Sequence, residues 1–445
     1  MAELRYLYGL YPEDVTKHLL AAICLVVAWP ALAGNQAEDS SLAWRQWGGP
    51  DRNFHSKATG LARSWPGDGP RQLWSRLLGE GYSTVIAEDG ALYTMYREEA
   101  RVSETSHDQE IVVALDADSG ETLWEHRYDA APPEDMPPVF DFWLSQAGPG
   151  PYSTPLVSGD RLFAVGVTGK FHTLNKRTGE VLWTHDLQEA FGMSLSSGYA
   201  SSPIAYRDTV ILPVGGTGHG VVAFRQSDGT VVWKTQDFAL APASPILINL
   251  DGEDQLVLFT GSRIAGLDPR NGDLFWSHPH ETDYGLNIST PVWGDGNLLF
   301  CSSAYNGGSR VLRLSRVDGK TSAQELWFNN RMRLHFGNAI RIGNSVYGTS
   351  GDFGPAFFAA LDINTGVEAW RERGFGRSQM IYADGMLVII DEDGDLVLAT
   401  PSAEGLDVHS RAEALTDNAW TAPTLVGTRL YLRDRKSIRA FELGK

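Results

Sequence analysis

The sequence predicts an all-β fold, an eight-bladed β-propeller, and three observations predict it. One phrase recurs along the chain: an apolar strand, then Asp or Asn, Gly, two or three residues and a Trp. Successive copies end 43 to 59 residues apart, at Trp74, Trp124, Trp183, Trp233, Trp276, Trp327 and Trp370. Upstream of each phrase lie two more strand-like runs, such as Ser153-Thr-Pro-Leu-Val and Arg161-Leu-Phe-Ala-Val, so each repeat supplies four strands. One supersecondary unit repeated at this period means a stacked architecture, and four strands per repeat is a propeller blade.

In chain order, residues 18–33 form a short apolar run ending in Ala31-Leu-Ala33, the pattern of a signal-peptidase site, and the run is too short to span a membrane. Residues 1–33 therefore read as a signal peptide. Glu3, Glu13 and Asp14 suit an n-region poorly, and initiation at Val15 would give an ordinary basic one. Residues 34–70 read as an N-terminal strap. Arg71-Gln-Leu-Trp74-Ser-Arg-Leu-Leu78 is an orphan outer strand with no blade before it. Six phrases follow, from Val113-Ala-Leu-Asp-Ala-Asp-Ser-Gly-Glu-Thr-Leu-Trp124 to Ala360-Leu-Asp-Ile-Asn-Thr-Gly-Val-Glu-Ala-Trp370. A seventh blade, with Met380-Ile-Tyr-Ala and Asp395-Leu-Val-Leu, has its Trp slot degenerate near His409. The eighth starts at Trp420-Thr-Ala-Pro and stops after Ile438–Leu443 with three strands. The orphan strand is expected to supply the fourth and close the ring, making residues 71–445 one propeller domain.

Each phrase reads as a hairpin whose Asp/Asn-Gly turn needs positive φ. An indole on the outer strand buries a large apolar area, so the seven tryptophans are expected to dock blade on blade. Hydrophobic residues at 42% supply a core, and a net charge of −18 argues against nucleic acid or an anionic membrane as partner. Beyond residue 33 the chain carries 35 basic and 52 acidic residues, net −17, and no transmembrane anchor. Only Cys24 and Cys301 occur, and Cys301, in the strand pattern Asn297-Leu-Leu-Phe-Cys, reads as a buried small hydrophobe. The acidic stretches 249–254 and 391–395 read as turns, His278-Pro-His280 lacks a third metal ligand, and Gly215-Gly-Thr-Gly-His-Gly220 lacks a following helix to hold phosphate. No metal site is expected.

The phrase Ala-x-Asp-x-x-Thr-Gly-x-x-x-Trp resembles the tryptophan-docking motif of quinoprotein alcohol dehydrogenases and of the outer-membrane assembly lipoprotein B, all eight-bladed propellers. With Trp44-Arg-Gln-Trp47-Gly-Gly-Pro50, Asp186–Gly192, Leu326–Gly337 and Trp420–Pro423, residues 44–443 are most similar to bacterial pyrroloquinoline-quinone (PQQ)-binding-like repeat proteins. The signal-peptide pattern implies a periplasmic or secreted protein, expected to be a monomer. The resemblance implies either a non-catalytic binding or protein-interaction scaffold or a PQQ-dependent dehydrogenase acting on an alcohol or sugar. PQQ and Ca²⁺ enter only under the second. Those dehydrogenases stack the quinone on a disulfide of adjacent cysteines, which this chain lacks. No catalytic residue can be carried over.

Turns between strands 1 and 2 and strands 3 and 4 are short. The longer insertions, at 97–110, 129–151, 185–198, 278–287, 304–309 and 350–356, all fall on the opposite face, which becomes the candidate binding face. Segments entering the inner strands from that face carry Tyr152, Tyr199, Asn287, His335, Arg377 and Trp420, and Arg331 and Arg333 precede His335. These eight are expected at the channel mouth, where the arginines favour an unknown protein or a small anionic ligand and the aromatics offer stacking surface.

Overall fold

In a computed structural model, which describes residues 43–98, 109–131, 148, 150–195, 197–352 and 354–445, eight separate four-stranded antiparallel sheets follow one another along the chain. The signal-peptide reading of residues 1–33 lies outside the described residues. Seven sheets are built from consecutive strands, beginning at Ile86, Leu156, Ile204, Ile246, Val292, Ala339 and Gln379. The eighth joins Thr424–Val426, Arg429–Arg433 and Ser437–Glu442 to Arg71–Leu77, with Trp74 opposite Ala440. The orphan strand thus closes the ring.

Within a blade the middle strands are the most buried. Ile111, Val112, Val113, Ala114 and Leu115 are all inaccessible, whereas the outer strand Thr122–Asp129 alternates exposed and half-buried. The outer strand is also offset by one residue beside its Trp. The register shifts just after Ala114↔Trp124, Thr173↔Trp183, Ala223↔Trp233, Gly266↔Trp276, Val311↔Trp327 and Ala360↔Trp370. A bulge at this point adds local twist and re-aims the indole.

The indole aims at the next blade. Nε1 of Trp74 donates to the Ala117 carbonyl (3.1 Å), that of Trp124 to Lys176 (3.0 Å), that of Trp183 to Gln226 (3.0 Å), that of Trp327 to Ile363 (2.8 Å) and that of Trp370 to Ser402 (3.0 Å). Beneath each of the first four rings sits the turn glycine of that next blade: a Cβ on Gly120, Gly179, Gly229 or Gly366 would lie 2.5 to 2.7 Å from ring carbons. Trp233 covers Gly272 in the same way. The glycine therefore answers two demands, a φ near +72° and the face of an indole.

Two positions depart from the sequence reading. Trp276 does not reach a turn in the next blade; its Nε1 donates to Gln255 Oε1 in its own blade (2.8 Å), and Gln255 passes the contact on to Thr321 Oγ1 (2.8 Å). The reason is the next hairpin, whose ten-residue strands Gly308–Val317 and Lys320–Asn329 carry the Asp318-Gly319 turn beyond reach. In blade seven the register shift follows Leu398↔Ser410, so Ser410 rather than His409 stands in the Trp slot. Its hydroxyl accepts the Trp65 backbone N–H (2.8 Å), and the Trp65 ring packs against the core. The strap thus supplies the missing indole.

The seam between blades eight and one is clasped by Arg433, fully buried, which donates to the carbonyls of Ser83 (2.8 Å) and Met95 (2.5 Å) and to Thr94 Oγ1 (2.9 Å). Burial lowers the Arg433 pKa to about 9, still protonated at neutral pH.

The dual role of the turn glycine is separable. Gly179 (φ +72°) and Gly319 (φ +75°) share a backbone conformation, but only Gly179 lies under an indole. Gly319→Ala is expected to cost the left-handed penalty of about 1–2 kcal/mol. Gly179→Ala is expected to cost about 1–3 kcal/mol more through overpacking. Equal losses in urea unfolding would show that the dock contributes nothing.

Candidate functional site

The inner strand of five blades is entered by a short segment that repeats in sequence as Ser153-Thr-Pro155, Ser201-Ser-Pro203, Ala243-Ser-Pro245, Ser289-Thr-Pro291 and Thr421-Ala-Pro423. Extended backbone sends alternate side chains to opposite sides. Here one set faces the axis in two tiers. The rim holds Tyr82, Tyr152, Ala200, Pro242, Ile288, Phe336 and Trp420; two residues further along each segment come Ser202, Ser244, Thr290, Asn338 and Gln379. Together with Trp47 they enclose an axial cavity of about 150 Å³.

Hydrogen bonds run round the lower tier from blade to blade. Thr84 N donates to Thr154 Oγ1 (3.1 Å), Thr154 N to Ser202 Oγ (3.0 Å) and Ser202 N to Ser244 Oγ (2.9 Å). Asn338 exchanges two bonds with Met380, at 2.8 Å each, and Gln379 Nε2 donates to the carbonyls of Phe336 and Trp420. These contacts fix the tier.

The strap forms the floor. Trp44 pairs with Ala87, Ser56 N donates to the Tyr382 carbonyl (2.8 Å), Asp384 accepts from the Gly60 and Leu61 amides (3.1 Å each), and Ala62 N donates to Leu443 (2.7 Å). Asp384 lies in a strand 1–2 turn, so the strap covers the plain face and leaves the mouth on the elaborated one. Arg52 is buried under the ring and donates to the Pro203 carbonyl (3.0 Å), and Trp47 Nε1 donates to Thr290 Oγ1 (2.8 Å). Glu88 of blade one is gripped by the strap's Arg45 and by Lys176 of blade two.

At the mouth the aromatic rings touch in series. Tyr152 stacks on Tyr82 (6.4 Å between centroids), Tyr82 meets Trp420 (5.2 Å), Trp420 meets Phe336 (4.6 Å), and Phe336 meets His335 (3.9 Å), which meets Tyr305 (4.9 Å). Burial pushes the Tyr82 phenol up to about 12 and raises those of Tyr152 and Tyr305 further, so all three stay neutral.

The eight residues expected at the mouth divide. Tyr152 and Trp420 line the cavity. Tyr199, Asn287 and His335 do not: each precedes a lining residue, Ala200, Ile288 and Phe336, and a one-residue step in extended chain turns the side chain away. Tyr199 is fully buried, its hydroxyl donating to the Pro213 carbonyl (3.0 Å). Asn287 Nδ2 donates to the Thr260 carbonyl (2.6 Å), and Tyr305 Oη lies 2.5 Å from His335 Nε2. Arg377 has the right register but is drawn sideways onto both Glu392 oxygens (2.9 and 2.8 Å), of which Oε2 also accepts the Trp420 indole (3.2 Å). Arg331 and Arg333 line a separate cavity of about 360 Å³ with Asn330, Ser350 and Arg371, and Arg333 pairs with Asp352 (3.1 Å). The reading missed Tyr82, Phe336 and the hydroxyl tier. The Ser-Pro and Thr-Pro recurrence at the inner-strand entrance signalled Ser202, Ser244 and Thr290, but Tyr82 and Phe336 precede segments without the proline.

The other motifs have local partners. Asn249 Nδ2 bonds Asp254 across a turn (2.8 Å), Asp391 accepts the Asp393 and Asp395 amides (3.1 Å each), and Arg310 Nε donates to His280 Nδ1 (2.9 Å). Cys301 is buried in its strand, and burial raises its thiol.

The family model described as outer membrane protein assembly factor BamB, of the PQQ-like repeat type, matches residues 108–372. A curated relative, outer membrane protein assembly factor BamB of Yersinia pestis, is 23% identical over 319 residues, covering 66% of this chain and 75% of its own. Among solved structures, BamB from Moraxella catarrhalis aligns with a TM-score of 0.55 at 17% identity, over 83% of this chain and 97% of that one. Quinohemoprotein alcohol dehydrogenase from Comamonas testosteroni aligns with a TM-score of 0.57 at 14% identity, over 91% and 81%. At these identities the structures share the fold. The family match spans more than half the chain, which belongs to the PQQ-like β-propeller family.

His335, behind the lining residue Phe336, gives folding stability a pH dependence. Burial, with Arg377 nearby, pushes it down to about 3 from 6.5, so it is neutral when folded and protonated more readily when unfolded. Below pH 6.5 the unfolded chain binds the extra proton and stability falls. Relative to His335→Gln, the wild-type protein should lose about 1.5 kcal/mol of unfolding free energy between pH 6.5 and pH 5. Parallel pH profiles in urea would rule this out.

Proposed function

We propose that this member of the PQQ-like propeller family is an exported, non-catalytic protein-interaction scaffold serving outer-membrane protein assembly. The observation that carries the non-catalytic part is the chemistry of the axial cavity. Among the described residues its lining has no acid, histidine, lysine, arginine or cysteine, only hydroxyls, amides, apolar residues and phenols held neutral by burial. General acid–base or nucleophilic chemistry near neutral pH needs a group that titrates or is activated there. The assembly role is supported by the curated relatives, whose names describe that process, and export by the signal pattern at residues 18–33.

The alternative, a PQQ- and Ca²⁺-dependent dehydrogenase, fits these residues poorly. The chain has no adjacent cysteines to stack a quinone, and among the described residues no carboxylate lines the cavity to hold a metal or take a proton. A small anionic ligand, if one is bound, belongs with Arg331, Arg333 and Arg371 in the outer pocket, because the axial lining carries no cation.

Two measurements test the reading. Purified protein with PQQ and Ca²⁺ should give no alcohol- or sugar-dependent dye reduction. Cells depleted of the protein should hold several-fold less folded β-barrel protein in the outer membrane, restored by the full chain. Turnover in the first, or an unchanged outer membrane in the second, would overturn it.

A further inference from the structure

The outer pocket gathers positive charge in a chain whose net charge is −18. Arg331 and Arg333 reach it from the connector into blade six, Arg371 from that blade's outer strand Glu368–Glu372, and Phe357 lines it beside them. Side chains two residues apart in extended chain share a side. Arg371 and Arg373 accordingly both lie over the Phe357 ring, their guanidinium carbons 5.7 and 5.1 Å from its centroid. The ring attracts each cation. The two cations repel each other, and an anion placed between them relieves that repulsion.

Two of the four arginines have partners. Arg333 pairs with Asp352 (3.1 Å) and Arg371 with Glu368 (2.7 Å), yet their side chains stay 36% and 47% exposed. Ion pairs this exposed are weak, and a guanidinium has five N–H donors, more than one carboxylate can take. Arg331 and Arg373 are exposed, and among the described residues no carboxylate pairs with either. Four guanidiniums against two carboxylates leave a net charge of +2. These donors face open solvent, where a ligand can reach them.

The two unpaired charges stand on different elements, and the pocket, at about 360 Å³, has room for a molecule rather than for one ion. Guanidiniums take carboxylates two N–H groups at a time. An extended chain sets alternate side chains on one side about 7 Å apart, so it can bring separate carboxylates to Arg331 and to the Arg371 and Arg373 pair. A phosphate concentrates its charge at one point.

We propose that the outer pocket is the docking site for an acidic, extended segment of a protein partner. Its carboxylates meet Arg331 and Arg373 and share Arg333 and Arg371 with Asp352 and Glu368. That the partner is a protein rests on the scaffold reading; the choice of an acidic ligand rests on the charges alone.

The test is fluorescence anisotropy with the purified full chain and a labelled peptide of alternating Glu and Ser. Binding is expected with a dissociation constant of about 100 µM at about 50 mM salt. The same peptide with Gln in place of Glu should bind at least tenfold more weakly. Arg331→Gln and Arg373→Gln should each weaken binding at least threefold, and together at least tenfold, with the melting temperature unchanged because both side chains are exposed. Arg225→Gln, which removes an exposed arginine from blade three, should leave binding as it is. Should a pocket variant unfold, the comparison of the two peptides on the unaltered chain decides. No binding of the Glu peptide at about 1 mM, equal binding of the Gln peptide, or an equal loss in Arg225→Gln would overturn the proposal. So would displacement of the peptide by inorganic phosphate at about 1 mM, which would make the pocket a small-anion site. The titration involves no membrane, so its failure would leave the assembly role to be judged on outer-membrane content alone.

Discussion

The contact between an indole and the turn glycine of the following blade is the constraint on which the ring depends. Sheets side by side present ragged edges to each other, and nothing in a four-stranded blade by itself sets its angle to the next. The indole does. It leaves its strand at a bulge, in five blades lies flat on a glycine that could carry no side chain there, and in five ends in a hydrogen bond to a carbonyl of the neighbouring turn, Trp74, Trp124, Trp183 and Trp327 doing both. A small angular error would break either the bond or the stacking, so each dock fixes one step of rotation. Where the dock is missing the chain substitutes for it: Gln255 relays Trp276 to Thr321, and the strap lends Trp65 to the blade that has only Ser410.

Closing the ring has a second consequence, at the axis. Eight inner strands enter from the same face with the same alternation, so residues that are equivalent in the repeat become neighbours in a circle. Large rings at one level and small hydroxyls two residues deeper taper the channel, and the backbone amides of one blade saturate the hydroxyls of the next. The strap then seals the plain end through Trp47 and Arg52. The strap thus closes the cavity on the plain side.

That pocket is neutral in a chain of net charge −18. The charges nearest it have been spent on each other, Arg377 on Glu392 and Arg333 on Asp352, so the mouth is rimmed by ion pairs while the interior is aromatic above and hydroxylic below. Neutral donors and, among the described lining residues, no carboxylate, histidine or cation suit recognition. The propeller shared with assembly factors and with quinone enzymes leaves this open, because the fold supplies only the circle; what stands on the two tiers decides the chemistry.

The sequence by itself determined the blade, the number of blades and the closing strand. Each follows from local chemistry repeated at a fixed period: an Asp/Asn-Gly turn, an alternating strand, a Trp, and one orphan strand at the N-terminus that completes a three-stranded blade at the C-terminus. The face carrying the long loops was also legible, since turn lengths can be counted along the chain. What only the tertiary structure decided was which side of the inner-strand entrance faces the axis. Tyr199, Asn287 and His335 are one residue away from Ala200, Ile288 and Phe336, and in extended chain that single step exchanges channel wall for core. The pairing of Arg377 with Glu392 and the reach of the strap to Thr290, 243 residues away from Trp47, were hidden for the same physical reason. They are contacts between segments with no common period, created when the ring closes.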